Sequence, residues 1–515
     1  MKIDKIVIVG GGSAGWMTAA TLVHLFPHKT ITLIESPNVP TVGVGESTIG
    51  GIQDWLTLLG IKDTDFMKDC DATYKLSIRF ENFYKKGDGG FHYPFGTAYL
   101  KNTRVGLNDW HVKKALAPET PNSEFAEEYF PLMALVNGNK FCKDTIEQLP
   151  DTSMFNVAFH FDAAKFAIWL RNFCAEDNFN FIQSDVVEIN ADDDGVTDLL
   201  LNNGDIITGD FYIDCTGFKS LLLDKTVKEP FNSFSDMLPN NRAWATRVKY
   251  FDKPNQIEPF TNCTALGNGW VWNIPLWSRI GTGYVYSDKY TSPENAKQEF
   301  IDHLNSKGFD TSELEFRDIQ MRVGMHERIW VKNVCAIGLS AGFIEPLESN
   351  GLYTVHRFLT HLARALLRER VGRFEIDSFN LACKKNFREF SEFVAMHYAL
   401  SVRDDTEYWR DNLKRNYSES LPTFEVSLVS EFKKNALMRY MDYNNSDTSG
   451  GINCIGAGMG YNPCDIITLR AYNPGARDYK EFLIPNMNKA VWKEMAKNAP
   501  TMYEFLDKNI YKEIE

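Results

Sequence analysis

The chain has 515 residues, of which 44% are hydrophobic and 24% charged, and its formal net charge at pH 7 is −13. This composition is typical of a globular enzyme of about two to four domains. The negative charge, with no block rich in lysine or arginine, argues against nucleic acid or an anionic membrane as a main partner. The nine cysteines are scattered and contain no C-x-x-C pair, which favours reduced thiols in a cytoplasmic protein over a disulfide framework.

One stretch could be mistaken for a signal peptide or a membrane span. Residues 6–26 contain a single ionisable side chain, that of His24. Three consecutive glycines follow the first four apolar residues, and they would interrupt a continuous apolar helix. We therefore predict neither a targeting signal nor a transmembrane segment.

The same stretch, extended to residues 5–35, has the pattern of a strand, a glycine turn, a helix and a second strand. The apolar, β-branched residues 6–9 predict a buried parallel strand. The spacing of apolar residues predicts a helix over 14–26, and a second strand is expected over 30–34.

Three glycines and one acid at the ends of these elements predict a dinucleotide site. Gly10, Gly12 and Gly15 have the G-x-G-x-x-G spacing, which serves a tight turn, a close approach to a pyrophosphate and close packing of helix on strand. The helix N-terminus can then face the phosphates. Glu35 ends the second strand, where its carboxylate can accept hydrogen bonds from ribose hydroxyls.

Residues 41–48 (TVGVGEST) alternate glycine with valine, which indicates extended backbone lying close to another group. The segment is either a tight loop or a strap over the cofactor, and the upstream glycine motif favours the strap. Residues 74–80 alternate apolar and polar side chains, which predicts a strand. On that pattern alone, Lys75 would lie on a solvated strand face. Residues 91–96 (FHYPFG) form an aromatic loop that suits either a flat substrate or a turn packed on the core.

The middle of the chain predicts two sheets. A helix is expected over 161–175, with Asp162 near its start. The strand at 211–218 ends in a glycine turn and is expected to return to the first sheet. The strands at 244–250 and 282–286 favour a second, more antiparallel sheet. Further strands are expected at 181–182, 186–189, 196–201, 206–208 and 334–337, followed by a long helix over about 352–370. The rest of the chain is helical in pattern, apart from the glycine-rich residues 449–463.

Three motifs are more specific than these patterns. WVWNIP at 270–275 fits W-x-W-x-I-P at every fixed position, and GGGSAGW at 10–16 and FIEPLES at 343–349 match equally well. HY at 397–398 and RDDTEYW at 403–409 add to them. Together these segments resemble the flavin-dependent halogenases of the tryptophan halogenase family, from the first strand to about Pro463.

The resemblance implies a reaction. In that family reduced FAD and O2 oxidise a bound halide to hypohalous acid, which passes through an internal tunnel to a lysine and a glutamate beside the substrate. By segment, these catalytic residues are Lys75 and Glu348. A lysine ammonium can donate a proton to the oxygen of hypohalous acid or form a haloamine, and a carboxylate can stabilise the cation formed on an aromatic ring and later remove its proton. The alternative for Glu348 is a charge placed at a helix N-terminus.

The resemblance also implies the remaining site residues. Halide is expected at the backbone amides of Asn350 and Gly351, since a turn before a helix N-terminus suits an anion. Tryptophans near the flavin would keep organic substrate away from it, although paired aromatic rings are usually core packing. No metal site is expected. The implied contacts are Gly10, Gly12, Ser13, Ala14, Gly15, Glu35, Gly45, Glu46, Val187 and Leu339 for the cofactor, Tyr93, Pro94, Phe95 and Ser349 for the substrate, and Trp270, Trp272, Ile274 and Pro275 for the tunnel.

Departures from the family pattern bear on the substrate. Tyr93 and Phe95 stand where tryptophan-specific members place a histidine and a phenylalanine. Residues 440–459 lack the tryptophan expected as a lid, and their glycines predict a mobile or more open mouth. We therefore expect an indole-like or phenol-like substrate rather than free tryptophan.

No second G-x-G-x-x-G is present to seat NAD(P)H, so reduced flavin is expected to come from a separate NAD(P)H-dependent reductase. The sequence leaves a homo-oligomer open. Two other functions also remain open. One is an FAD-dependent aromatic hydroxylase, although such enzymes usually have a Gly-Asp pair where this chain has Gly338-Leu339. The other is a non-catalytic binding protein on the same fold.

The implied fold is α/β (α+β), with an FAD-binding Rossmann-like domain of the aromatic-hydroxylase/glutathione-reductase type, a second antiparallel sheet and a helical C-terminal substrate region. We expect a discontinuous FAD module over 1–375, with antiparallel-sheet segments inserted at about 85–155 and 225–325. A mainly helical cap over the substrate is expected at 376–515.

Overall fold

The structure is a computed structural model. It describes residues 1–39, 46–101, 103, 107–175, 178–415, 449–462, 482–484 and 487–512.

A parallel sheet carries the N-terminal motif. Strand Lys5–Val9 pairs in parallel with Thr30–Glu35 and with Phe211–Asp214, so the later strand returns to the first sheet as predicted. Ile6, Val7 and Ile8 are all buried, because a parallel strand covered on both faces needs a continuous apolar run. The order of the six strands is Trp330–Val331, Val334–Ala336, Phe211–Asp214, Lys5–Val9, Thr30–Glu35 and Phe179–Gln183.

A second sheet has seven strands and is mostly antiparallel, which together with the parallel sheet confirms the predicted fold class. Its one parallel pair joins Phe260–Ala265 to Ser77–Glu81. The strand order is Arg317–Gln320, Arg242–Val248, Ile280–Tyr286, Gly269–Pro275, Phe260–Ala265, Ser77–Glu81 and Gly90–Pro94.

The strand predicted over 74–80 is two strands in two different sheets. The backbone N–H of Leu76 donates to the carbonyl oxygen of Pro259, which separates Thr73–Lys75 from Ser77–Glu81. Both sides of the segment are packed, so its alternation of apolar and polar residues does not mark a solvent-facing side.

Three smaller sheets complete the described β structure. The strands are Glu46–Ser47, Ala158–Phe161 and Thr73–Lys75 in one sheet, Ile206–Thr208, Gly195–Leu201 and Val186–Asp192 in the second, and Phe231–Ser233, Gly324–His326 and Gly342–Phe343 in the third.

The helices of the first half of the described chain are Ser13–Leu25, Ile52–Leu58, Asp63–Phe66, Asn108–Leu116, Glu124–Tyr129, Met133–Val136, Lys143–Gln148, Ala163–Phe173 and Lys253–Gln256. Those that follow are Pro293–Ser306, Asn350–Leu366, Arg373–Ala399, Glu407–Lys414, Ser449–Gly458, Asn488–Met495 and Met502–Leu506. The helix predicted near 161–175 begins after Asp162, whose carboxylate accepts hydrogen bonds from the backbone N–H groups of Ala164 and Lys165.

Two expectations about the second half of the chain can be compared with the structure. Residues 440–448 of the segment expected to form an open mouth lie outside the described residues. The described part forms a helix over Ser449–Gly458, in which Gly451 and Gly458 are packed closely against aromatic rings. A Cβ on Gly451 would lie 2.4 Å from the ring of Phe393, and one on Gly458 would lie 2.1 Å from that of Phe91. The domain boundary predicted after residue 375 stays a prediction, and residue 375 itself lies in helix Arg373–Ala399.

The segment at 85–155, expected to add antiparallel strands, is mostly helical where it is described, and Gly90–Pro94 is its strand in the seven-stranded sheet. Among the described residues, no helix is both long and apolar enough to cross a membrane.

Candidate active site

The glycine turn has the geometry that a bound pyrophosphate requires. Gly10 has φ +115°, and a Cβ there would lie 2.3 Å from the carbonyl oxygen of Cys215. A Cβ on Gly15 would lie 1.8 Å from the carbonyl oxygen of Gly10, so this glycine lets the helix pack closely on the strand. Gly12 faces open space, which leaves the start of helix Ser13–Leu25 accessible to a phosphate.

This turn opens into a cavity of about 490 Å³. The first-turn N–H groups of a helix have no partner within the helix, and here they face the cavity beside Glu35 at the end of the second strand. The site therefore fits a dinucleotide such as FAD. Of the residues implied by the sequence, the cavity is lined by Gly10, Gly12, Ser13, Ala14, Glu35, Glu46, Trp272, Ile274, Leu339, Ser349, Asn350 and Gly351.

Val187 and Gly45, two of the implied cofactor positions, are not among these lining residues. Val186 lines the cavity, whereas the side chain of Val187 is 58% exposed. Gly45 lies outside the described residues. Burial raises the pKa of Glu46 to about 7, with a smaller contribution from Asp162. Burial also raises the pKa of Glu35.

Lys75 is completely buried rather than solvated. Its Nζ donates hydrogen bonds to the carbonyl oxygen of Thr48 and to Oγ of Ser349, each at 2.8 Å, and lies 5.0 Å from the centre of the Phe95 ring. Burial lowers the pKa of Lys75 to about 7, although Glu348 acts in the opposite direction. The amine therefore changes its charge near neutral pH.

Glu348 is also buried, and its Oε1 lies 2.9 Å from Nε2 of His397. The other ring nitrogen, Nδ1, is 3.1 Å from the carbonyl oxygen of Val394, which can only accept, so Nδ1 carries a hydrogen. Among the described residues, neither Nε2 of His397 nor Oε1 of Glu348 makes a hydrogen bond of good geometry, so the 2.9 Å approach is a close polar contact. Burial raises the pKa of Glu348, whereas His397 and Lys75 lower it.

Aromatic side chains form a wall beside these two groups. The rings of Tyr93 and Phe95 meet edge to face at 5.8 Å, and Tyr93 makes a similar contact with Phe393 at 6.2 Å. Pro94 is buried and, by strand alternation, faces the opposite side of the sheet. The wall therefore consists of the rings of Tyr93, Phe95 and Phe393.

The two tryptophans of the W-x-W motif differ in environment. Trp270 is fully buried and donates from Nε1 to Oε2 of Glu345 at 2.9 Å, whereas Trp272 lines the cavity. A Cβ on Gly283 would lie 2.2 Å from the Trp272 ring, so that glycine makes room for the indole. Pro275 accepts a hydrogen bond from Thr73 at 2.6 Å through its carbonyl oxygen.

The residues implied for halide binding begin helix Asn350–Leu366. Asn350 and Gly351 both line the cavity, and their N–H groups belong to a helix turn that has no acceptors within the helix. Ser349, just before them, has φ +56°, an uncommon conformation for a residue with a side chain and one that is enriched at functional sites.

Comparison with known proteins identifies the chain. The family model for tryptophan halogenase matches residues 5–463. The chain belongs to the tryptophan halogenase family. It is 32% identical over 533 aligned residues to tryptophan 6-halogenase ThaL of Streptomyces albogriseolus, with 98% of each chain covered.

Solved structures agree. The apo structure of VirX1 superposes with a TM-score of 0.92 at 36% identity and full coverage of both chains. The tryptophan 6-halogenase SttH of Streptomyces toxytricini gives a TM-score of 0.82 at 30% identity, with 98% of this chain and 99% of that one covered. The protein is therefore a flavin-dependent halogenase that uses FADH2, O2 and halide, together with a separate flavin reductase and an aromatic substrate.

The sequence did not single out every polar residue around Lys75. Thr48 accepts a hydrogen bond from Lys75 directly, whereas Ser47, Thr261 and His160 are connected to it through Ser349. His397 stood in a family motif but without a role. Among the described residues, no cluster of three or more His, Cys, Asp or Glu could hold a metal ion.

Proposed function

We propose that Lys75 and Glu348 direct hypohalous acid onto an electron-rich aromatic ring, indole-like or phenol-like, rather than onto free tryptophan. The observation that carries the proposal is the position of Ser349. This residue lines the flavin cavity and accepts a hydrogen bond from Lys75, and it directly follows Glu348 in the chain. Both ionisable groups therefore lie next to the cavity in which the oxidant forms.

When bound, FADH2 with O2 supplies the oxidising power that converts halide to hypohalous acid. The halide is proposed to rest on the N–H groups of Asn350 and Gly351 at the cavity wall. Trp272 lines the same cavity and excludes a bulky organic molecule from it, which separates oxidant formation from its use on the substrate.

Lys75 has the properties of a hydrogen-bond donor to hypohalous acid. Two of its N–H groups are used by Thr48 and Ser349, and no acceptor in the described part of the chain takes the third. That third group is available to the oxygen of hypohalous acid, which makes the halogen more electrophilic. With a pKa of about 7, the amine can release and regain a proton at neutral pH.

Glu348 has the properties of the partner that receives the aromatic proton. A carboxylate stabilises the positive charge that develops on the ring during substitution and can then accept the ring proton. His397 lies 2.9 Å from Glu348 and can share that proton, so the buried acid is not left with an isolated charge.

The aromatic wall supports the proposed substrate class. Tyr93 and Phe95 provide ring faces and edges for a flat molecule, and Lys75 lies 5.0 Å from the Phe95 ring centre. Helix Ser449–Gly458 packs on the same wall through Gly451. The names of ThaL and SttH assign tryptophan to those relatives, so free tryptophan is the direct competitor in the test.

The test is a competition between substrates. Purified protein with FAD, a flavin reductase and NADH is incubated with equimolar free tryptophan and a substituted indole or phenol, with chloride, bromide or iodide supplied separately. Mass spectrometry should show halogenated indole or phenol as the main product. Preferential halogenation of tryptophan would contradict the proposed substrate class, and loss of product in Lys75→Met would separate enzymatic transfer from free hypohalous acid.

A further inference from the structure

A chain of hydrogen bonds leads from Lys75 to a buried histidine that the proposed reaction does not use. Nζ of Lys75 donates to Oγ of Ser349 at 2.8 Å, and Ser349 donates to Oγ of Ser47 at 3.1 Å. Ser47 lies 2.7 Å from Oγ1 of Thr261, which is 2.9 Å from Nε2 of His160. All five residues lie in the described part of the chain.

Three of these residues belong to the three-stranded sheet formed by Glu46–Ser47, Ala158–Phe161 and Thr73–Lys75. His160 is paired with Ser47 on one side and with Thr73 on the other. Lys75 follows Thr73 by two residues, so by strand alternation its side chain lies on the same face. Ser349 reaches this face from its left-handed position before helix Asn350–Leu366.

The direction of every hydrogen bond between Lys75 and His160 follows from the bonds that His160 makes at the end of the series. The hydroxyl of Thr73 donates its only hydrogen to the carbonyl oxygen of Pro275. At 3.0 Å from Nδ1 of His160, Thr73 can therefore only accept, which places a hydrogen on Nδ1. In a neutral imidazole the other nitrogen, Nε2, is then an acceptor.

Because Nε2 of His160 is an acceptor, it fixes in turn which atom donates and which accepts in each hydrogen bond between the hydroxyl groups. Thr261 must donate to Nε2, so its oxygen accepts from Ser47, and the oxygen of Ser47 accepts from Ser349. Ser349 has then used its only hydrogen and can offer just a lone pair to Lys75. Burial and the nearby Lys75 both lower the pKa of His160 well below its usual value, which keeps the ring in the accepting, neutral form.

We propose that His160 is a positioning residue for Lys75, because it is the fixed acceptor that makes every hydroxyl in this chain donate away from the lysine. Ser349 and Thr48 then both accept from Nζ, which favours the ammonium form. The third direction at Nζ is left for the oxidant. No covalent bond changes in this role, and His160 does not touch the substrate.

Without an acceptor at Nε2 of His160, the hydrogen bonds between the hydroxyl groups would no longer have a fixed direction. Thr261, Ser47 and Ser349 could then reverse, and the hydroxyl of Ser349 could donate to the lone pair of a neutral Lys75 amine. A hydrogen bond to the charged form is thereby exchanged for one to the neutral form, and the pKa of Lys75 should fall by about one unit.

Two matched pairs of variants test this. His160→Gln keeps an acceptor near the position of Nε2, whereas His160→Asn keeps a polar atom only near that of Nδ1. Thr261→Ser keeps the hydroxyl that links Ser47 to His160, whereas Thr261→Val keeps the shape of the side chain and removes that hydroxyl. Thr261→Val is close to isosteric and provides the test if His160→Asn does not fold.

The readout is the titration of Lys75 in the full chain labelled with [13Cε]lysine, where the Lys75 signal is the one that disappears in Lys75→Met. We expect His160→Asn and Thr261→Val to titrate about one pH unit below the wild type, and His160→Gln and Thr261→Ser to titrate like it. Titration of Thr261→Val at the wild-type pH would overturn the proposal. The other titratable groups that act on Lys75, Glu348 and Cys263, are unchanged in all four variants.

The consequence for catalysis rests on the proposed role of Lys75, but the titration does not. Halogenation by Lys75→Met at the wild-type rate would refute the proposed function and leave the titration result standing. If Lys75→Met is inactive, His160→Asn and Thr261→Val should lose activity at a lower pH than the wild type as the pH rises, and His160→Gln should restore the wild-type profile.

Discussion

Replacing Lys75 by methionine should change how the stability of the protein depends on pH. In the unfolded chain a lysine keeps its proton up to about its ordinary pKa of 10.5, whereas in the folded protein burial lowers the pKa of Lys75 to about 7. Between these two values the unfolded state binds more protons, so the free energy of unfolding of the wild type rises with pH. Below pH 7 the full cost of the buried charge is present.

The magnitude follows from the two pKa values. The difference between 10.5 and about 7 is about 3.5 pH units, which at 1.36 kcal/mol per unit corresponds to about 5 kcal/mol over the whole range. From pH 7, where the folded-state amine is half deprotonated, to pH 9 the wild type should gain about 2 kcal/mol, while Lys75→Met gains none from this position. The hydrogen bonds that methionine loses cost about 1 kcal/mol each, but that loss does not change with pH in this range.

The assay is thermal unfolding of wild type and Lys75→Met at several pH values from 6 to 9. The melting temperature of Lys75→Met relative to that of the wild type should be highest at pH 6, and this difference should decrease steadily above pH 7. Lys68→Met, at an exposed lysine, is the control and should follow the wild type at every pH. A constant difference between Lys75→Met and wild type across this range would refute the buried, titrating amine.

The remaining predictions concern three other parts of the site. Glu348→Gln should lower kcat by about 10²- to 10⁴-fold, the range for losing a general base, with FAD affinity unchanged in a fluorescence titration; full activity would exclude a role for the carboxylate. Gly10→Ala should abolish FAD binding, because its Cβ would lie 2.3 Å from a carbonyl oxygen at φ +115°, and wild-type FAD affinity would contradict this. Gly283→Ala should lower the melting temperature, because its Cβ would meet the Trp272 ring, and the overpacking should cost about 1–3 kcal/mol. The double variant with Trp272→Phe should recover part of that loss. An unchanged melting temperature in both variants would contradict the contact.

Local sequence patterns were sufficient for the N-terminal unit. The apolar run before Gly10 and the spacing of the three glycines depend on neighbours within a few residues, and the structure has the strand, turn and helix where the pattern predicts them. The same holds for the helix after Asp162, which the carboxylate caps.

Patterns were insufficient where distant segments meet. Alternation at 74–80 predicted one solvated side, but Lys75 is covered by Thr48 and Ser349, which lie 27 and 274 residues away along the chain. The link between His160 and Thr261 likewise spans 101 residues, and no local signal marks either residue. The glycines at 440–459 predict a mobile backbone, whereas two of them, Gly451 and Gly458, allow a helix to approach aromatic rings closely.

We propose that oxidant formed at the flavin cavity reaches the substrate only through Lys75. The most direct test compares wild type and Lys75→Met with FAD, a reductase, bromide and an electron-rich indole. Flavin reoxidation and halogenated indole are measured in the same reaction. We predict flavin reoxidation by both proteins and bromoindole from the wild type alone. Equal bromoindole from Lys75→Met would contradict the proposed role of Lys75.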